Sequence, residues 1–167
     1  WVVPSHGEIS PLSSSKIRSS DLCFIGGTNL ISSNLNKNGL WPIDENDIKT
    51  FEGGKAVTVG VGWNDYSEGI SHTTQKILGS ILSKKFHNSA RDLYTKEKLD
   101  SVGVPTTFTS CPTTWKLSPS HCKKIPKKKS DSVLFTLTEW RKDPELDSYM
   151  INTLKNIYRN VYFFPQM

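Results

Sequence analysis

The stretch Ala56-Val57-Thr58-Val59-Gly60-Val61-Gly62, followed by Ser71 to Leu82 and then His87-Asn88-Ser89-Ala90, decides the fold class. Ala56 to Val61 is a short valine-rich run bracketed by Gly53-Gly54 and Gly62, the pattern of a strand buried on both faces. Ser71 to Leu82 changes period. There Ile70, Thr74, Ile77, Leu78, Ile81 and Leu82 fall on one helical face, with Ser71 placed to cap the first turn. His87 to Ala90 returns to strand. Strand, amphipathic helix and strand in that order make a β–α–β unit, which predicts a parallel sheet covered by helices.

The same alternation extends outward. Leu22 to Ile25 reads as a strand ending in Gly26-Gly27; Tyr94 to Val102 reads as a helix stopped by Gly103, and Thr106 to Ser110 as the next strand. From Ser118 to Asp131 the composition turns to serine, proline and lysine, so a linker is expected there. A new unit follows: strand Ser132 to Leu137, a helix with Pro144 in its first turn and Leu146, Met150, Leu154, Ile157 and Tyr158 facing inward, and strand Val161 to Phe164. The expected division is residues 1–117, a linker at 118–131, and an incomplete unit at 132–167 that is too short to fold alone. Ser13 to Ser20 is a biased serine stretch.

With 167 residues, 35% hydrophobic and 22% charged, the chain is neither disordered nor collagen-like. Its apolar runs fall far short of the ~20 residues that span a bilayer as a helix, so no membrane span is expected. The sequence starts at Trp1 rather than methionine, which leaves a preceding segment, a targeting peptide included, open. Lys123, Lys124, Lys127, Lys128 and Lys129 account for the whole formal charge of +5. They flank Pro126 without interleaved aromatics, which fits a solvated linker better than a nucleic-acid groove, and no nucleic-acid partner is expected. Cys23, Cys111 and Cys122 are odd in number and show no zinc spacing with the four histidines, so no metal site is expected. That usage points to a reducing compartment: the cytoplasm, free or peripheral to a membrane.

In open α/β sheets ligands collect at the carboxyl ends of the strands. Four segments have that position. Gly26-Gly27-Thr28-Asn29 combines backbone freedom with hydrogen-bonding side chains, and equally fits a tight turn. Gly60-Val61-Gly62-Trp63-Asn64-Asp65-Tyr66 carries Trp63 and Tyr66, which fit either a sugar ring or the packing of the loop. Ser89-Ala90-Arg91-Asp92 sets an arginine at a strand-to-helix junction, where its planar fork suits phosphate or carboxylate; the alternative is a structural ion pair with Asp92 or another acid. Ser110-Cys111-Pro112-Thr113 holds a thiol with no histidine placed to activate it, and reads as a buried, inert cysteine. His6, His72, His87 and His121 show no spacing that marks a site and read as surface or capping residues.

Gly26-Gly27-Thr28-Asn29-Leu30, Val59-Gly60-Val61-Gly62-Trp63, Ser89-Ala90-Arg91-Asp92-Leu93-Tyr94-Thr95, Cys111-Pro112-Thr113-Thr114-Trp115-Lys116-Leu117 and Phe135-Thr136-Leu137-Thr138, taken in order, resemble the polysaccharide pyruvyl transferase family. The closing Val161-Tyr162-Phe163-Phe164-Pro165-Gln166 is similar to that family's second-domain strand. The resemblance implies a Rossmann-like parallel sheet with helices on both faces, within a two-domain architecture of the glycosyltransferase-B kind. It implies transfer of the enolpyruvyl group of phosphoenolpyruvate to two hydroxyls of a sugar, forming a pyruvate ketal on a cell-surface glycan, with phosphoenolpyruvate as substrate and no cofactor. By the same resemblance Arg91 is the donor-anion contact, and Gly26, Gly27, Thr28, Asn29, Gly62 and Trp63 line the cleft. Asp65, His72 and Asp92 are candidates for proton transfer by proximity alone. The family's first strand and its glycine-acid loop are expected before Trp1 and its arginine-histidine motif after Met167, so these residues are expected to hold part of the active site. Two other readings share the fold: a glycosyltransferase using a nucleotide sugar, and a non-catalytic glycan-binding remnant.

Overall fold

A computed structural model of the chain describes residues 2, 6–35, 40–137 and 142–164. The chain divides into two units, Trp1–Ser118 and Pro119–Met167.

The first unit is built on short parallel strands. β1 (Cys23–Gly26) pairs with β2 (Ala56–Val59) in the register Cys23 to Ala56 and Gly26 to Val59, and β3 (Asn88–Ala90) pairs with β4 (Thr106–Phe108) from Asn88 to Thr106. Between β2 and β3 the backbone ladder is reduced to parallel bridges at Ala56–Leu82 and Val61–Ala90. Side chains fill the gap. Thr58 N donates to Asn88 Oδ1 at 3.0 Å, Gly60 N to Ser89 Oγ at 2.8 Å, and Thr58 Oγ1 to Ser89 O at 3.0 Å. Asn88 is fully buried, and its amide nitrogen donates in turn to Ser83 O at 2.9 Å. A buried amide is tolerated because its polar atoms are satisfied. The splice puts the carboxyl ends of all four strands on one edge.

The crossover between β2 and β3 is α2 (His72–Ile81). As its spacing predicts, Thr74, Ile77, Leu78 and Ile81 are buried, and Ser71 Oγ accepts from Thr74 N at 3.2 Å. Thr74 Oγ1 also receives Leu35 N at 3.0 Å, tying the helix start to the loop after β1. Burying each of these aliphatic side chains stabilises the unit by about 1.5–3 kcal/mol, so Leu78→Ala would open a hole under the sheet and cost about 2–5 kcal/mol. α3 (Leu93–Ser101) links β3 to β4 and ends at Gly103, whose φ of +74° closes the helix in the left-handed region.

The serine stretch forms a helix, which its composition did not announce. α1 (Pro11–Arg18) is capped by Ser10 and starts with proline at its first turn. Its other end is closed by Lys55, whose Nζ donates to Arg18 O and Ser20 O, each at 3.0 Å. A cation bound to terminal carbonyls offsets the low helix propensity of serine. A 3₁₀ segment, Glu45–Phe51, packs against α1 and begins with a reciprocal Asp44–Asp47 cap.

The second unit consists of α4 (Pro119–Cys122), β5 (Ser132–Phe135), α5 (Pro144–Ile157) and β6 (Asn160–Phe163). β5 and β6 run parallel from Ser132–Asn160 to Phe135–Phe163, with the two phenylalanine rings 5.4 Å apart. The short helix α4 occupies part of the stretch read as linker. The expectation that the apolar positions at α5 face inward holds for three of the five. Met150, Leu154 and Tyr158 are partly buried, while Leu146 and Ile157 are exposed, because a two-stranded sheet offers too little area to cover a helix of 14 residues. Thr138, Pro165 and Gln166 of the motif segments lie outside the described residues.

Candidate functional site

The carboxyl edge of the first unit gathers the four strand-end segments. The turn after β1 is stitched to the turn after β2. Gly62 N donates to Thr28 O at 2.9 Å, and beyond the turns Ile31 N donates to Gly62 O and Asn64 N to Ile31 O. Two glycines permit this proximity. Gly60 has φ of +61°, and a Cβ on it would enter the ring of Pro112. A Cβ on Gly62 would collide with Asn29 Oδ1 and with the Arg91 side chain at Cδ. At Gly60 the left-handed backbone and the proline ring together favour glycine, while at Gly62 a side chain would require Asn29 and Arg91 to shift.

Arg91 follows β3 directly, and its backbone continues the sheet through Arg91 N to Val61 O at 3.0 Å. Its side chain is partly exposed, and Nη1 donates to Asn29 Oδ1 at 3.2 Å. The ion-pair alternative with Asp92 is not what forms. Asp92 caps α3, its Oδ1 accepting from Thr95 N at 2.7 Å, and among the described residues no carboxylate pairs with Arg91. A guanidinium whose partner among the described residues is a neutral amide keeps its charge and most of its donors.

Asp65 is anchored as well. It accepts from Ser33 N at 2.7 Å, from Ser33 Oγ at 2.6 Å and from Ser67 N at 3.0 Å. Burial pushes its carboxyl up, but these hydrogen bonds outweigh it and hold the group at about 2. A carboxylate so acidic is a poor general base at neutral pH. His72, the first residue of α2, is exposed, with no capping or anchoring hydrogen bond among the described residues.

Trp63 contributes backbone to the edge and its indole to the core. The ring is buried, Nε1 donates to Ser33 Oγ at 3.1 Å, and Trp63 N donates to Thr95 Oγ1 at 2.8 Å. Of the two readings, packing of the loop is the one realised. Tyr66 is the opposite case: it is exposed, its ring centroid 5.2 Å from that of Tyr94.

Cys111 is not the buried thiol expected. It is half-buried, follows Ser110, which holds a φ of 65° outside glycine's usual privilege, and sits 3.0 Å from Thr113 Oγ1. Hydrogen bonding from the Thr113 side chain and backbone holds the thiol below its ordinary value, and the Arg91 charge acts in the same direction. A serine, cysteine and proline in succession at a strand end was the available signal. Cys23, by contrast, is pushed up by burial, partly offset by Lys55.

The fold and edge define an α/β protein that presents, at the carboxyl end of a parallel sheet and framed by glycine turns, an arginine with which no described carboxylate pairs. The chain matches the family described as Polysaccharide pyruvyl transferase over residues 3–166 and belongs to that family. Membership makes it one of a group of transferases whose acceptor is a polysaccharide. The chain has no significant match among curated proteins or solved structures. Among the described residues, no helix is long and apolar enough to cross a membrane.

Proposed function

We propose that the protein acts in transferring pyruvate from phosphoenolpyruvate to a polysaccharide, and that Arg91 binds the donor's anionic end. The carrying observation is the Arg91 guanidinium at the end of β3, with a neutral amide as its hydrogen-bond partner and its side chain packed against Gly62. A planar fork in that state can hold phosphate or carboxylate by paired charge-assisted bonds.

The chemistry balances without a cofactor. The donor's CH₂ carbon gains a proton and becomes methyl, which leaves an oxocarbenium-like carbon. Two sugar hydroxyls form C–O bonds to that carbon while the C–O bond to phosphate breaks. One hydroxyl proton replaces the proton given to the methyl, and the other leaves with inorganic phosphate. Arg91 would stabilise charge on the donor throughout, and Gly26, Gly27, Thr28 and Asn29 would line its pocket. Asp65, His72 and Asp92 are the proton-transfer candidates, and His72 is favoured because the two carboxylates already serve backbone amides.

In this reading the two units belong to the two Rossmann-like halves of a glycosyltransferase-B-type enzyme. The odd number and wide spacing of Cys23, Cys111 and Cys122 in the sequence support a reducing, cytoplasmic setting. The test is incubation of the protein with phosphoenolpyruvate and a panel of hexosides and oligosaccharides, following phosphate release and the mass of the sugar. Sugar-dependent phosphate together with a ketal-bearing product is the expected result. Phosphate release without a modified sugar, or no turnover on any acceptor, rejects the reading.

A further inference from the structure

We infer that Tyr66 is a stacking platform for a sugar ring of the acceptor, braced by Tyr94 and placed beside the Arg91 edge. The inference deepens the proposed function by assigning its acceptor subsite.

Tyr66 is 86% exposed, more than any other described aromatic residue. Such a ring in a loose loop would mean nothing, since single exposed apolar residues are common. This loop is not loose. Asp65 is held at three points by Ser33 and Ser67. On the other side, Tyr94 Oη donates to Ser67 O at 3.1 Å, and Lys98 Nζ donates to Ser67 O at 2.7 Å and to Glu68 O at 2.8 Å. The Tyr66 ring then leans on Tyr94 at 5.2 Å and 47°, while the Lys98 ammonium lies 5.2 Å from the Tyr94 centroid. One side of the ring is therefore supported and the rest is open to solvent. A rigid, exposed aromatic loses little entropy on binding, so its contact area is available to a ligand at low cost.

The placement selects the ligand. Tyr94 lies in the first turn of α3, whose cap follows Arg91, and the Tyr66 loop continues from the strand-end turn that touches Arg91 at Gly62. The platform and the proposed donor cation thus stand on the same two chain segments, which meet where Gly62 touches the Arg91 side chain. Exposed Asn64 and Glu68 flank it in the same loop, offering hydrogen bonds around the ring. An apolar face edged by an amide and a carboxylate suits a pyranose, which has C–H groups on its faces and hydroxyls around its rim.

The experiment measures acceptor and donor separately in Tyr66→Ala, Tyr66→Phe and Tyr66→Trp. Stacking predicts that alanine raises the acceptor KM about tenfold, while kcat and the donor KM stay unchanged and phenylalanine or tryptophan restores the acceptor KM. In parallel, direct titration with the best hexoside or oligosaccharide, without phosphoenolpyruvate, should show the same loss in alanine alone. That titration separates two failures. Sugar binding that depends on Tyr66 without pyruvyl transfer sustains the platform and rejects the proposed reaction. Pyruvyl transfer with an acceptor KM indifferent to all three variants overturns the platform and leaves the reaction standing. Loss of self-association in the alanine variant, with sugar binding intact, overturns it too and assigns the ring to an interface between copies.

Discussion

Arg91 and Asn29 stand 62 positions apart in sequence, and the guanidinium Nη1 of the first donates to the side-chain carbonyl of the second at 3.2 Å. The amide holds the fork without neutralising it, as the proposed donor-anion site requires and a structural ion pair would not. Lysine at position 91 would keep the charge and lose the fork. Arg91→Lys should therefore weaken donor use by about 1.5–3 kcal/mol, the worth of hydrogen bonds to a charged group. The melting midpoint should barely move. An unfolded lysine variant would mark the residue as structural.

Asn29→Asp asks the complementary question. It preserves shape and sets a carboxylate against the guanidinium, so the protein should be no less stable while the donor competes with an internal anion. Donor KM should rise about tenfold, and the defect should shrink as falling pH protonates the introduced carboxyl. A donor KM equal to that of the unsubstituted protein would detach Asn29 and Arg91 from donor binding.

Gly60 and Gly53 both have positive φ, +61° and +86°, but only Gly60 faces a neighbour within contact distance, the Pro112 ring. Alanine at Gly53 pays the left-handed backbone alone, about 1–2 kcal/mol. Alanine at Gly60 adds overpacking against the ring, for a total of about 2–4 kcal/mol. Urea midpoints of the two variants compare them directly, and equal losses would refute the close approach of the β2 and β4 turns.

Much of this arrangement is legible in the sequence, and the division follows how far apart the interacting residues lie. Ser71 capping α2 and Gly103 stopping α3 are local events, written in residues a few positions apart. The spacing that buries Ile77, Leu78 and Ile81 is equally local. Lys55 closing α1, Asn88 splicing β2 to β3 and Ser33 anchoring Asp65 join residues 30 or more positions apart. No period or motif encodes such pairings. The α5 stripe shows a further limit: periodicity identifies which face is apolar, while the area available to cover it depends on the partner. At the edge, Arg91 was recognisable by residue type. Its freedom from Asp92 depended on reading Asp92 as the cap for Thr95.

Asp65 gives the fold an acid-sensitive anchor. Its folded value of about 2 lies below the ordinary 3.8, so its stabilisation is fully present above 3.8 and is lost as pH falls through about 2. Allowing for solvent screening at a partly exposed site, the contribution is about 1–2 kcal/mol. Asp65→Asn cannot accept from both the Ser33 amide and hydroxyl, so it should melt earlier at neutral pH. The gap to the unsubstituted protein should close between 3.8 and about 2, where the native carboxylate becomes protonated. A gap that is constant with pH would mean that the charge contributes nothing.

Cys111 offers a chemical probe of the same edge. Thr113 hydrogen bonds and the Arg91 charge favour its thiolate, whereas burial disfavours that of Cys23. Thiolate is the species that alkylates. At neutral pH, iodoacetate should therefore modify Cys111 well before Cys23, as followed by peptide mass spectrometry. Thr113→Val should move the pH midpoint of the Cys111 reaction upward. Arg91→Gln should move it in the same direction by less, since its charge acts more weakly than the Thr113 hydrogen bonds. The product carries a carboxylate into the neighbourhood of Arg91, so modification should raise the donor KM, while neutral iodoacetamide at the same position should raise it less. Equal reactivity of the two cysteines would contradict the thiolate assignment. Equal inhibition by the charged and neutral reagents would show that the modified side chain obstructs the edge by bulk and that its charge does not reach the donor cation.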